Sequence, residues 1–372
     1  MPATDPLLEA RRIMQICNAC RYCESYCAVF PAMNRRLAFS DGDLGYLANL
    51  CHGCGACHYA CQYAPPHEFA VHVPKAFAEL RVATYRQYAW PSMFARAFES
   101  NGIVVALAIS VCLSAFVLGV FLVHDASTVL GAHQSAQSFY AVVPHAAMVW
   151  MFGIAGLYVL AVWIIGFVRF WRDTGESLGD LARPDALIGG AADALTLRYL
   201  DGGGDGCTYP DERPSFSRRL YHHLTFYGFL LCFAATTAGT IFHYGFGWIA
   251  PYSLFSLPVV LGTLGGIGLL IGPAGLMWLR TKADPNLIER DKRGLDSGLL
   301  VLLFLTSLTG LLLLAFRATP AMGVLLAVHL GVVLALFLVM PYGKLVHGIY
   351  RTAALVRYAL ERSRPNPTPS FE

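Results

Sequence analysis

Eight of the chain's 11 cysteines fall into two runs of one form, Cys17-x2-Cys20-x2-Cys23-x3-Cys27 and Cys51-x2-Cys54-x2-Cys57-x3-Cys61. Four thiolates at this spacing are the ligand set of a bacterial-type [4Fe–4S] cubane, and the chain carries the set twice. Three ligands at short spacing come from one loop, and the fourth must come from elsewhere. In two-cluster ferredoxins the fourth cysteine of each run crosses to the other cluster. The expected pairing is therefore Cys17, Cys20, Cys23 and Cys61 on one cluster, and Cys51, Cys54, Cys57 and Cys27 on the other. Ferredoxins follow the fourth cysteine with proline; here Ala28 and Gln62 stand in that place. Zinc sites use two well-separated CxxC pairs rather than four cysteines in one short stretch. Disulfides need an oxidising compartment, and residues 1–15 contain no apolar signal core.

Histidines form the second set. His329 falls inside a long apolar stretch; His222, His223, His243 and His145 fall at the ends of such stretches; His347 follows one. Ionisable residues at membrane depth are functional candidates by default. A neutral imidazole from each of two facing helices is the usual axial ligand pair of haem b. His329 and His347 are 18 residues apart, five turns on one face and roughly 27 Å of rise, with Pro341 between them. His222 and His243 are 21 apart and nearly share a face; His223 points away from His243. Facing helices would then set His222, or His223 if that helix is rotated, opposite His347 for one haem. His243 or His145 opposite His329 would make a second. At least one haem b is expected, with room for two. His124, His133, His52, His58, His67 and His72 are read as ordinary surface residues.

The elements that position these groups follow from composition. The chain of 372 residues is 56% hydrophobic and only 14% charged, where a soluble protein carries about 25%. Six stretches, 103–123, 145–168, 224–242, 257–279, 299–316 and 321–340, are each about 20 residues long, the length that crosses a bilayer, and none contains Asp, Glu, Lys or Arg. The expected fold is all-α. An α-helical, ferredoxin-like two-cluster domain with a juxtamembrane connector occupies 1–100. A six-helix transmembrane bundle of cytochrome b type occupies 101–350, with long loops at 169–223 and 280–298. Residues 351–372 are a tail. Of the 27 lysines and arginines, only Arg317 lies in the three loops on the far side. Basic residues mark the cytoplasmic side, so the clusters, both long loops and both termini are expected there, at a bacterial inner membrane.

Gly262/Gly266 and Gly268/Gly272 are GxxxG pairs that favour close helix packing. The run from Gly202 to Gly206 lacks phosphate-loop spacing and reads as a flexible turn. Loop 173–219 is far longer than a bundle connection needs, which suits a docking face for a partner protein.

With these residues in hand, the chain resembles the tricarballylate (citrate) utilization protein B family nearly end to end. The resemblance rests on the two cysteine runs, on Cys61-Gln62-Tyr63-Ala64-Pro65-Pro66-His67-Glu68-Phe69, and on Leu197-Arg198-Tyr199-Leu200 followed by Gly202 to Cys207. It also rests on His222-His223-Leu224-Thr225-Phe226-Tyr227-Gly228 and on His329 through Pro341-Tyr342-Gly343 to His347. The resemblance implies a membrane iron–sulfur and haem protein. Such a protein takes electrons from the reduced flavin of a separate tricarballylate dehydrogenase and passes them to quinone.

Two other functions compete. A self-contained reductase would need a catalytic side chain, for which Cys207 is the best candidate, yet a lone cysteine is more often structural. A transporter would need charged residues in its spans, which are lacking. No nucleotide fingerprint and no nucleic-acid signature is present.

Overall fold

The computed structural model describes residues 5–133, 137–284 and 293–365; the basic residues Arg290 and Lys292 and the end of the tail lie outside this set. The chain is all-helical. Among the described residues the only β pairing is an isolated antiparallel bridge between Cys207 and Ser215.

The N-terminal domain is built from helices that end at the cysteines. Helix α1 (Pro6–Cys20) starts where the Asp5 carboxylate accepts from the Leu7 amide and proline fills the first turn. It stops at Arg21, whose φ of 57° is left-handed. Cys17 and Cys20 thus leave the last turn of α1 on one face. The short α2 (Val29–Asn34) follows Cys27. Helix α3 (Asp41–Leu50) opens with a capping box between Ser40 and Asp43 and delivers Cys51 at its end. It is almost wholly buried and is the centre of this domain. Helix α4 (Ala56–Tyr59) sits inside the second run, and α5 (Val73–Tyr88) packs across α1 and α3. A 3-10 turn, Ser92–Phe98, completes the connector.

Six helices are long and apolar enough to cross a membrane. They are α6 (Asn101–Val123), α8 (His145–Asp173), α10 (Ser217–Phe246), α11 (Leu257–Lys282), α12 (Arg293–Phe316) and α13 (Met322–Val339), with short α7 (Ala126–Val129) after the first and α9 (Pro184–Leu195) in the long loop. Helices α6, α12 and α13 pack on one another, while α10 lies along α11. Glycine makes the latter approach possible: a Cβ at Gly268 would stand 2.9 Å from the Leu224 carbonyl, and one at Gly272 2.6 Å from the Thr225 amide. Apolar side chains such as Trp150, Leu157, Ile164, Phe233 and Ile241 are exposed along α8 and α10, as lipid-facing positions require.

Two expectations about the C-terminal region are corrected. Helix α13 ends at Val339, a 3-10 turn covers Met340–Tyr342, and Gly343 is extended. Pro341 and Gly343 end the helix rather than bend it, so the five-turn register between His329 and His347 does not exist. Residues 351–363 are not a tail. They belong to α14 (Val346–Ser363), an amphipathic helix that packs on α9 and α3. Its end joins a buried ion network. Arg36 pairs with Glu361 and, at 2.7 Å, with Asp43. Arg357 reaches Asp43 at 3.2 Å, and Arg364 reaches Glu176 at 2.8 Å. The Tyr46 hydroxyl donates to Glu361 at 3.0 Å, and the Arg357 guanidinium lies over the Tyr46 ring. The two halves of the chain are therefore joined by buried charge as well as by the connector.

Candidate redox centres

Two cavities in the N-terminal domain are lined by cysteine. Cys17, Cys20, Cys23 and Cys61 line the first, with Ile16, Phe30 and Tyr63 as its apolar wall. Cys27, Cys51, Cys54 and Cys57 line the second, with His52 and Tyr199 beside them. Each cavity thus draws three cysteines from one run and the last cysteine of the other. Among the described residues, no three His, Cys, Asp or Glu side chains converge as a single ion would need. A cubane places each thiolate on a different iron, so its ligands stand farther apart than those of one ion.

The thiols fit such a group electronically. Burial, with the neighbouring cysteines, pushes Cys17 and Cys23 up to about 12, and raises Cys57 and Cys27 well above the usual thiol range. Without metal these groups favour the protonated form; coordination to iron would be what holds them as thiolates in so dry a place. Amide donors already reach two of the sulfurs: the Gly53 N–H approaches Cys51 Sγ at 3.3 Å, and Gln62 Nε2 approaches Cys20 Sγ at 4.0 Å.

Three arginines fasten the loop of the second cavity. Arg81 Nη1 donates to the Cys51 carbonyl at 2.6 Å and to that of Ala48 at 3.1 Å. Arg351 Nη2, from α14, donates to the same Cys51 carbonyl at 2.8 Å. Arg218, in the first turn of α10, donates to the Gly53 and His52 carbonyls and lies over the Tyr209 ring. The carbonyls turn toward the guanidinium groups, and their positive charge offsets the negative charge of a four-thiolate cluster. Sequence reasoning missed this clamp, because the partners are up to 300 residues apart. It also misplaced His52, which is 6% exposed. Its Nδ1–H donates to the Leu50 carbonyl, and its Nε2 is buried with no partner. His58 and His72 stack on each other, and His133 donates to the Thr128 carbonyl.

The second cavity is roofed by the long loop. Its turn at Gly202 to Gly206 has positive φ throughout its glycines, and Gly203 lies against Tyr26. The Thr208 hydroxyl reaches the Cys54 carbonyl at 3.4 Å. The stretch is a turn, as its composition suggests, with Gly202 and Gly206 buried and Gly203 to Asp205 exposed.

The structure brings His222 and His347 together. Their ring centroids are 6.1 Å apart at an interplanar angle of 82°. His347 Nδ1–H donates to the Lys344 carbonyl at 2.6 Å, which fixes the tautomer and leaves the Nε2 lone pair free. Burial, then Arg351 and Lys344, holds His347 well below its ordinary pKa, so it stays neutral. His222 Nδ1 is buried without a partner. His222 and His347, from two different helices, are the residues that would hold a haem iron here. His223 lies instead beside Tyr227, toward the end of α9.

The remaining histidines are arranged differently. His145 and His243 stack face to face at 4.1 Å and 16°, with Tyr140 and Tyr244 around them. No iron fits between rings so close. His329 Nδ1 is 3.0 Å from the Thr309 hydroxyl, and its ring lies on Gly310 of α12. Among the described residues no ring contact joins His329 to His243 or His145.

Comparison with known proteins agrees with this architecture. Residues 10–89 match the family described as Citrate utilization protein B Fer4-like domain, and residues 97–368 match Citrate utilization protein B. The Citrate utilization protein B of Escherichia coli is 51% identical over 362 residues, which cover 97% of this chain and 94% of that protein. No solved structure matches.

Proposed function

Since this chain belongs to the citrate utilization protein B family, we propose that it is the membrane electron carrier of tricarballylate or citrate utilization. It takes electrons from the reduced flavin of a separate, soluble tricarballylate dehydrogenase and delivers them to the quinone pool. Two [4Fe–4S] clusters and haem b supply one-electron redox chemistry that no amino-acid side chain here can provide. Cys17, Cys20, Cys23 and Cys61 would hold the first cluster, Cys51, Cys54, Cys57 and Cys27 the second, and His222 with His347 the haem. No residue is assigned a catalytic role of its own.

One observation carries this reading. The loop of the second cavity is bonded directly to both helices that present the paired imidazoles: Arg351 lies four residues beyond His347, and Arg218 four residues before His222. These bonds support an order in which the second site is the one next to the histidine pair. The first cavity is nearer solvent, where Tyr22 is 66% exposed and Phe69 42%. We assign the flavoprotein to that edge, with loop 173–219 flanking it. The distribution of basic residues supports a cytoplasmic position for this end, at a bacterial inner membrane.

The test is reduction of the purified full chain by its reduced dehydrogenase, followed at haem and cluster absorbances, and then reoxidation by a quinone. Failure of haem to reduce while dithionite reduces it would reject the partner. Absence of iron and haem would reject the carrier role. Reduction by a different flavoprotein would favour a second reading, a subunit of another quinone-linked reductase.

A further inference from the structure

Five cysteine sulfurs, not four, gather at the second cavity. Four of them line it. The fifth, Cys207, lies behind Cys54, fully buried in an apolar cluster with Cys54, Ala56, Leu197 and Leu200. Its side chain packs against that of Cys54, within reach of a thiol–sulfur hydrogen bond.

The backbone is arranged to hold the thiol there. Cys207 exchanges both backbone hydrogen bonds with Ser215, at 3.0 and 2.8 Å. The neighbouring Gly206 has φ +108°, and a Cβ there would stand 2.8 Å from the Ser215 amide. On the other side Gly55 has φ +87°, and a Cβ there would meet the Thr208 carbonyl at 2.5 Å. Both glycines allow the roof to close on the cysteine loop. A second polar side chain faces the same cavity: His52 lines it, is 6% exposed, and keeps Nε2 without a partner. At the first cavity the side-chain donor to a sulfur is Gln62, whose Nε2 stands 4.0 Å from Cys20 Sγ in an exposed setting, unlike the fully buried Cys207.

We propose that Cys207 is a positioning residue of the second redox centre: its S–H donates a hydrogen bond to the Cys54 sulfur and makes that cluster easier to reduce than the first. The inference rests on the cluster reading above. A donor on a ligand sulfur stabilises the added negative charge of the reduced state, and hydrogen bonds to sulfur are among the factors that set cluster potentials. No bond to iron is made or broken and no proton is released; the electron is the one already arriving from the first cluster. The effect is directional, since the cluster nearer the histidine pair becomes the lower-energy resting place.

The experiment is a redox titration of the full-length protein in membranes, followed by EPR, for wild type, Cys207→Ala and Cys207→Ser. In Cys207→Ala, the midpoint of the Cys51/Cys54/Cys57/Cys27 cluster should shift to more negative potential, while the other cluster stays unchanged. Cys207→Ser keeps a donor and should recover at least part of the shift. After exchange into deuterium oxide, wild type should show an exchangeable deuteron coupled to that cluster, lost in Cys207→Ala and retained in Cys207→Ser. Unchanged midpoints and unchanged coupling would overturn the proposal. So would equal shifts of both clusters, which would mark general loosening of the domain. Loss of one cluster from both variants would make Cys207 an iron ligand and equally overturn it. A wild type without four-iron signals would remove the reading beneath it.

Discussion

Replacing His347 by alanine tests the most consequential pairing. The His222 and His347 rings stand 6.1 Å apart, and His347 is fixed by its bond to the Lys344 carbonyl. Each ring would supply one of two axial bonds. Loss of a supporting group behind a metal ligand costs about 10- to 100-fold in affinity, so loss of the ligand itself should exceed about 100-fold, or about 3 kcal/mol. The assay is haem per chain in detergent, measured by pyridine haemochrome, beside non-haem iron. Wild type should carry about one haem and about eight cluster irons. His347→Ala should fall to near zero haem while its iron count holds, and added imidazole should restore part of the spectrum. His329→Ala and His145→Ala should keep their haem, because neither histidine is in a pair with room for iron. Full haem in His347→Ala, or haem lost from His329→Ala alone, would refute the assignment.

Cys27→Ser should alter the EPR signal of the cluster held by Cys51, Cys54 and Cys57, and Cys61→Ser that of the other; loss from the adjacent run alone would reject the crossed arrangement. Arg218→Met removes charged donors to the Gly53 and His52 carbonyls, each worth about 1.5–3 kcal/mol, so the second cluster should bleach faster in air than the first, as seen by EPR. Glu361→Ala strips Arg36 and Arg357 of a buried partner, a change that costs about 3–5 kcal/mol, and trypsin should then cut α14 in membranes where wild type resists. Asp43, though desolvation opposes it, is held below the usual carboxylate value by Arg36 and Arg357. A depressed folded pKa gives stability that is present above the unfolded value of about 3.9 and lost as pH falls. Trypsin sensitivity of α14 in wild type should therefore rise below about pH 4, and less steeply in Asp43→Asn.

What could be read from the chain alone was what depends on local spacing and composition. The cysteine runs give their own grouping because cubane chemistry fixes the number of ligands. The six apolar stretches stand out because a bilayer demands both length and lack of charge. Glycines on α11 marked a close helix contact, though not that α10 is the partner. What escaped depends on distant parts meeting. Burial of His52 is set by the loop and by α10, not by its neighbours Cys51 and Gly53. The break at Met340–Tyr342 was visible as Pro341 and Gly343, but the continuous apolar character around it concealed that two helices begin and end there. Helix α14 has the apolar periodicity of a packed helix, yet nothing local says that its surface is matched to α3. Cys207 is one cysteine in a loop until the roof folds over Cys54.

Helix α14 carries His347 at one end, Arg351 one turn on, and Glu361 at the other. The distance from His347 to Glu361 is about 21 Å of helix rise. It works as a gauge rod between membrane and cluster domain. A single inserted residue within it would rotate everything beyond by about 100°. Placed after Arg351, the insertion would keep the imidazole and the clamp but turn Glu361 away from Arg36. Placed before Arg351, it would separate the clamp from the imidazole. The spacing of the second cavity and the histidine pair thus depends on the length of one helix, and this segment should admit neither gain nor loss of a residue.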